Sequence, residues 1–227
     1  HHAEGLFCFG RSAVHEFRPD GGEGVLNSLT VNSHRVPYAS VDGLTRYSGS
    51  QLLVWGDTVY SPGAHPLLTL ADGIFHPFAP LPPGMNQRTR ISTVSAAGPN
   101  DIVVCWDNWE KPGNGIHRWN GVQWSPMEGY FDFAGGVFEY PPSSAIALWR
   151  SPSGTLFAIE SHRIFRTDAQ GHWRRLLQIP LDPTPTYAFT AVWGRSDSEV
   201  HVSTDNGKIF RFNGSTFTEQ AVPGGGR

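Results

Sequence analysis

The sequence predicts an all-β fold: a β-propeller of five blades, each of four antiparallel strands, with the first blade incomplete at its N-terminus. Three observations carry this. Residues 191–217 (AVWGRSDSEVHVSTDNGKIFRFNGSTF) read as apolar strand, polar turn, apolar strand, turn, aromatic-bearing strand, Gly/Asn turn and aromatic, and residues 147–173 and 93–124 repeat that order. The first apolar residue of the second strand recurs at Leu6, Leu52, Ile102, Leu156 and Val200, at separations of 46, 50, 54 and 44 residues. Asn120-Gly121 and Asn213-Gly214 sit before a fourth strand, and Asn-Gly is the strongest short-range hairpin signal. One four-stranded sheet of this size cannot bury both faces alone, so a repeat of about 40–50 residues implies stacked blades.

Taken in order, the first unit has its second strand at GLFCFG and its third at AVHEF (13–17), with no first strand ahead of Leu6. Closure of the ring then requires the C-terminal tail, residues upstream or another chain. The second unit has a first strand in ASVDGLTR, a second in QLLVWGD and a third expected at DTVYS (57–61). The third runs ISTVSAA, DIVVCWD, GIHRW; the fourth SAIALWR, TLFAIES, HRIFR; the fifth FTAVWGR, EVHVSTD, KIFRF. The blades fall at about 1–33, 34–80, 88–128, 144–181 and 187–222 of a single domain covering 1–227, with an insertion at 128–143.

Composition narrows the function classes. The chain is 12% aromatic and 16% charged with 26 Gly and 18 Pro, which is turn-rich and far from disorder. A net charge of −3 gives no basic footprint for nucleic acid. No apolar run reaches the roughly 18–20 residues of a membrane span. Cys8 and Cys105 occupy the same strand position in units that are not adjacent, so two buried thiols are expected rather than a disulfide. No Cys or His spacing supports a metal site, and no nucleophile elbow, HExxH or phosphate loop calls for a cofactor.

At Val192-Trp193-Gly194 and Asn213 to Phe217 the chain resembles secreted-protein propeller repeats of the WG-x-S…G-x-I…W/F-x-G-x-x-W/F kind. Ser203 to Phe210 (STDNGKIF) resembles a degenerate Asp-box, with Ile209 and Phe210 in place of Thr and Trp. That box is a structural turn clamp in sialidase-type repeats, so the resemblance implies folding and not sialic acid. Size, unit count and the run SPSGTLFAIESHRIFRT are similar in pattern to the tachylectin-type five-bladed lectins. The resemblance leans towards a secreted protein, whereas thiols lean towards a reducing compartment.

Loop lengths locate the expected working face. Turns between strands one and two and between three and four are short (GPND, SPSGT, RSDSE, NGST), whereas the opposite face is elaborated. Residues 107–114, with Trp109, Glu110 and Lys111, are inserted between strands two and three of the third unit. Residues 127–144 follow that unit and carry Tyr130, Phe131, Asp132, Phe133, Phe138 and Tyr140. Residues 76–90 precede it with His76, Arg88 and Arg90, and 179–187 hold Asp182 and Tyr187. Aromatics of this kind suit both protein hot spots and sugar stacking. The bland alternative is that 127–144 folds on itself as a β-hairpin around Gly135-Gly136. Arg88 and Arg90 suit a bidentate carboxylate clamp or plain solvation. The strand tryptophans (Trp55, Trp106, Trp119, Trp124, Trp149, Trp173, Trp193) read nearly all as inter-blade core, and His117, His162 and His201 as structural.

Three functions follow. A lectin predicts one equivalent pocket per blade, which concentrated insertions disfavour. A glycoside hydrolase or lyase needs two carboxylates roughly 5–9.5 Å apart. Asp107, Glu110, Asp132 and Glu139 lie on the elaborated face, but Asp42 is the sole acid in the predicted inner strands. A non-catalytic module that docks a protein partner through one decorated face fits the asymmetry best, with a glycan as the alternative ligand.

Overall fold

The computed structural model describes residues 6–10, 13–19, 29–35, 41–48, 51–56, 67–71, 74–78, 80–85, 89–108, 115–132, 137–139, 141–142, 145–179 and 187–220. Every strand pairing among them is antiparallel, and they divide into two compact units, His1–Ile91 and Ser92–Arg227.

In the first unit, β1 (Leu6–Gly10), β2 (Ala13–Pro19) and β3 (Leu29–Arg35) form a three-stranded meander. It is the expected first blade without its first strand. A four-stranded sheet follows, of β4 (Val41–Ser48), β5 (Gln51–Gly56), β6 (Leu67–Ala71) and β7 (Ile74–Pro77). Its third strand corrects the expectation. Residues 57–61 lie outside the described residues, and the strand that pairs with β5 is β6, with Leu52 opposite Leu70 and Trp55 opposite Leu67. The apolar run LLTLA supplies that strand, and Leu67 and Leu68 are buried. Ala71 then pairs with Ile74 across a two-residue Asp-Gly connection, a hairpin signal as strong as Asn-Gly. His76 therefore stands on β7, exposed and opposite Thr69, and not in a connection.

The second unit holds the three cleanest repeats. β8 (Thr89–Gly98), β9 (Asp101–Asn108), β10 (Gly115–Trp119) and β11 (Trp124–Pro126) make the third blade. Between it and the next blade, β12 (Tyr130–Asp132) and β13 (Val137–Glu139) pair as a hairpin. β14 (Ala147–Arg150), β15 (Leu156–Ile159), β16 (Arg163–Thr167) and β17 (Trp173–Gln178) make the fourth blade. β18 (Phe189–Ser196), β19 (Glu199–Thr204), β20 (Ile209–Phe212) and β21 (Phe217–Gln220) make the fifth.

The core explains why the middle strands read as continuous apolar runs. All four residues of β15 are buried, because side chains alternate across the sheet and both faces are covered. Leu156 and Ala158 join Val103, Cys105, Ile116 and Trp173 in the layer between the third and fourth blades. Phe157 and Ile159 join Phe189, Val200, Val202 and Phe212 in the layer between the fourth and fifth. Each fully buried large apolar side chain contributes about 1.5–3 kcal/mol. Cys105 is a buried thiol on β9, while the side chain of Cys8 lies outside the described residues, so the expected pair of thiols is half observed.

The turns between third and fourth strands share one device. Asn120 Oδ1 accepts from the amides of Val122 and Gln123, and Asn213 Oδ1 accepts from those of Ser215 and Thr216. Gly121 and Gly214 take φ of 94° and 97°, which glycine adopts at least cost. In the fourth blade Asp168 fills the Asn position and accepts from the amides of Gln170 and His172. The stretch 203–210 is likewise a clamped turn. Thr204 Oγ1 accepts from the Lys208 amide, and Asp205 Oδ1 accepts from the Ala188 amide, tying the turn to the strand that enters the blade.

Of the seven strand tryptophans, Trp106, Trp119, Trp124 and Trp173 are buried. Trp149 packs on the core, with Phe157 5.5 Å away. Trp193 departs from the expectation: it is 41% exposed, stacked on His201 at 5.7 Å. Trp55 has no described side chain.

Candidate functional site

The second unit contains a cavity of about 440 Å³ lined by Thr155, Arg166, Thr167, Asp168, Ala169, Arg174 and Asp197. Its walls are the turn between β14 and β15, the rim of β16 and β17, and the turn between β18 and β19. It therefore opens at the junction of the fourth and fifth blades, on the face with short turns.

Two carboxylates shape it. Asp197 accepts from Ser153 Oγ at 2.7 and 2.8 Å and from Thr155 Oγ1 at 2.8 Å, so a fifth-blade acid is seated on fourth-blade hydroxyls. Burial alone would raise its carboxyl, but hydrogen bonds from Ser151, Ser153 and Thr155, with the charge of Arg166, hold it below the usual range. Asp168 accepts from Arg174 Nε at 3.1 Å besides its two amides. There too burial would raise the carboxyl, and those donors with nearby His172 lower it. Opposite them, Arg166 and Arg174 are direct register partners on β16 and β17, so their side chains share one face of the sheet. The Arg166 guanidinium lies 5.9 Å from the centroid of the Phe212 ring.

The junction between the third and fourth blades is built differently. Asp101, at the start of β9, takes Arg118 Nε and Nη2, each at 2.9 Å, and Arg150 Nη1 and Nη2 at 2.8 and 3.1 Å. Arg118 belongs to the same blade and Arg150 to the next, so this acid reaches forward where Asp197 reaches back. Further along β9, Trp106 Nε1 donates to His117 Nδ1 at 3.1 Å, and burial lowers the imidazole's affinity for a second proton. On the opposite face Glu160 is buried with Arg163 Nε 2.8 Å away. Among the described residues no three His, Cys, Asp or Glu side chains converge as a metal site.

The residues singled out from sequence distribute as follows. Tyr130, Phe131 and Asp132 lie on β12 and Phe138 on β13, with Tyr130 opposite Glu139 and Phe131 opposite Phe138. The two strands thus pair as a hairpin, and residues 133–136 between them lie outside the described residues. The hairpin's entry is fixed to the outer strand of the fourth blade: the Trp173 amide donates to Glu128 O at 3.1 Å, and Gly129 bridges Trp173. Tyr187 stacks on Phe210 at 5.6 Å and meets Phe189 edge-on, packed against the core, with Lys208 Nζ 5.6 Å from its ring centroid. Arg90 and Asp107 stand on strands β8 and β9, not in the loops expected for them. Trp109, Glu110, Lys111, Phe133, Tyr140, Arg88 and Asp182 lie outside the described residues.

Sequence reasoning passed over the cavity because it weighed loop length. The signal lay in composition: the turn residues of two consecutive blades, SPSGT and RSDSE, are hydroxyls and acids, and the intervening strand carries arginine.

No protein-family model matches the chain, and no curated protein sequence matches it. Solved structures do. The chain is similar to regucalcin from Agrobacterium tumefaciens, a calcium-binding protein, at 14% identity and TM-score 0.60, covering 98% of this chain and 72% of that one. It is similar to YCF48 from Cyanidioschyzon merolae at 15% identity and TM-score 0.58, covering 98% and 70%. A protein from Lactobacillus plantarum matches at 13% identity and TM-score 0.57, covering 97% and 68%. Regucalcin and YCF48 are propellers, so the chain has a β-propeller fold. At these identities the likeness carries the fold alone. Among the described residues no helix is long and apolar enough to cross a membrane.

Proposed function

We propose that residues 1–227 form one propeller domain that acts as a non-catalytic binding module and docks a protein partner through the decorated side of its third and fourth blades. The observation that carries this reading is the β12–β13 hairpin, inserted between the third and fourth blades and tied to the outer strand of the fourth through Glu128, Gly129 and Trp173. A repeat lectin needs equivalent pockets. An asymmetric surface with a hairpin rich in Tyr and Phe suits a single large partner.

The carboxylates at the two blade junctions argue against hydrolysis there. Asp101, Asp168 and Asp197 are each occupied by donors within the protein. Asp168 and Asp197 are held on the acid side of their ordinary range, whereas a general acid needs the opposite shift.

A glycan array probed with the folded protein, beside the Trp109→Ala, Tyr130→Ala double variant, tests the reading. A blank array is expected. Retention of one defined sugar that the double variant loses would make this a carbohydrate-binding propeller instead.

A further inference from the structure

We propose that the cavity between the fourth and fifth blades is a binding site for a small carboxylate, received by the guanidinium of Arg166. This goes beyond the protein-docking reading and uses different residues.

The repeat itself marks Arg166. Three blades place an arginine at the same position of the third strand, one residue before the last: Arg118, Arg166 and Arg211. In two of them an acid preceding the anchor residue of the second strand answers it. Asp101 lies 2.9 Å from Arg118, and Glu199 lies 3.8 Å from Arg211. In the fourth blade that position is Thr155, whose hydroxyl is already donated to Asp197. Among the described residues the Arg166 guanidinium has no hydrogen-bond or ion-pair partner. Its guanidinium carbon lies 5.9 Å from the centroid of the Phe212 ring.

The surroundings favour an anion of modest size. Arg166 and Arg174 stand directly opposite on β16 and β17, an arrangement that costs stability unless a negative charge lies between them. Asp168 answers Arg174 through Nε. Asp197 is near enough to Arg166 to be felt through its charge, but among the described residues the two form no ion pair, and its oxygens accept from Ser153 and Thr155. One guanidinium fork therefore faces a cavity of about 440 Å³ with its donors uncommitted, and a planar carboxylate matches that fork bidentately.

Ligand-observed NMR with acetate, glycolate and inorganic phosphate as probes tests this on the full chain. The carboxylates are expected to bind with dissociation constants on the order of millimolar. Arg166→Gln should weaken them at least about tenfold while leaving the thermal midpoint within a few degrees. Arg118→Gln, at the equivalent position with its own acid, should leave binding unchanged. Thr155→Glu gives Arg166 the acid its counterparts have, and should abolish binding by occupying the guanidinium. That variant decides the matter should Arg166→Gln not fold. Absence of carboxylate binding to the unaltered chain, undiminished binding in Arg166→Gln or in Thr155→Glu, or tighter binding of phosphate than of either carboxylate would each overturn the proposal.

Discussion

Replacing Asp101 by Asn keeps the shape of the side chain and removes its charge, and the structure sets the size of the effect. Four N–H contacts converge on this carboxylate, two from Arg118 and two from Arg150. The two arms differ in worth. Arg118 is 48% exposed, so its pairing falls among surface ion pairs worth roughly 0.2–1 kcal/mol. Arg150 is only 12% exposed, and its Nε is buried with no partner among the described residues, so the guanidinium depends on Asp101. Breaking a fully buried pair costs about 3–5 kcal/mol. Asp101 is itself 27% exposed, which brings the Arg150 arm down to roughly 2 kcal/mol. Asp101→Asn should therefore cost about 2–3 kcal/mol, a drop of roughly 4–12 °C in thermal midpoint for a chain of this size. A double-mutant cycle in urea, followed by tryptophan fluorescence, separates the arms. The coupling of Asp101→Asn with Arg150→Met should reach about 1.5–2 kcal/mol, and that with Arg118→Met should stay below about 1 kcal/mol. A cost under about 0.5 kcal/mol for Asp101→Asn, or stronger coupling to Arg118 than to Arg150, would refute the view that this acid staples the third blade to the fourth.

Two further outcomes follow from the same packing. Gly194 sits at a register irregularity of β18 and β19, where an added Cβ would collide with the Glu199 carbonyl and come within 2.8 Å of the Trp149 ring. Gly194→Ala should cost about 1–3 kcal/mol in urea, and a neutral result would show that the fifth blade yields there. His117 is buried neutral, so the unfolded chain binds the extra proton first. Stability is full above the ordinary imidazole pKa of about 6.5 and is lost as pH falls from there towards the lowered folded value, by up to about 1.4 kcal/mol per pH unit. His117→Gln should flatten that slope between pH 7 and 5 in paired urea titrations; an unchanged slope would remove His117 from the acid response.

Much of the architecture was legible because it rests on short-range chemistry. Asn-Gly turns, alternating strands such as β19 and doubly buried runs such as β15 place the three blades of the second unit nearly to the residue. The pairing of β12 with β13 was one of two open readings, signalled by the Gly135-Gly136 pair in the sequence between them. The third strand of the second blade was misplaced because DTVYS has strand composition, while LLTLA with its Asp-Gly turn lies beyond Pro62 and Pro66. The exposure of Trp193 was illegible for a different reason. Trp149 and Trp193 precede their anchors by the same seven residues, and only packing leaves one against the core and the other open. The cavity sits on short turns, and beside their hydroxyl and acid composition it carries a second signal, a departure from the repeat: Thr155 where Asp101 and Glu199 stand in the neighbouring blades. Such a signal emerges only once register has aligned the blades residue by residue.

The central claim, that the decorated side of the third and fourth blades docks a protein, is tested most directly at the hairpin. Gly129 is bonded into the fourth blade, so the replacement should begin beyond it, with residues 131–138 exchanged for a short Gly-Ser turn. The exchanged and intact chains, matched in circular dichroism and thermal midpoint, would be used side by side to capture partners from lysate of the cells that make the protein, with quantification by mass spectrometry. The account predicts a partner retained by the intact chain and lost, at least about tenfold, by the exchanged one. Equal retention by both folded chains would contradict it and move the binding surface elsewhere on the propeller.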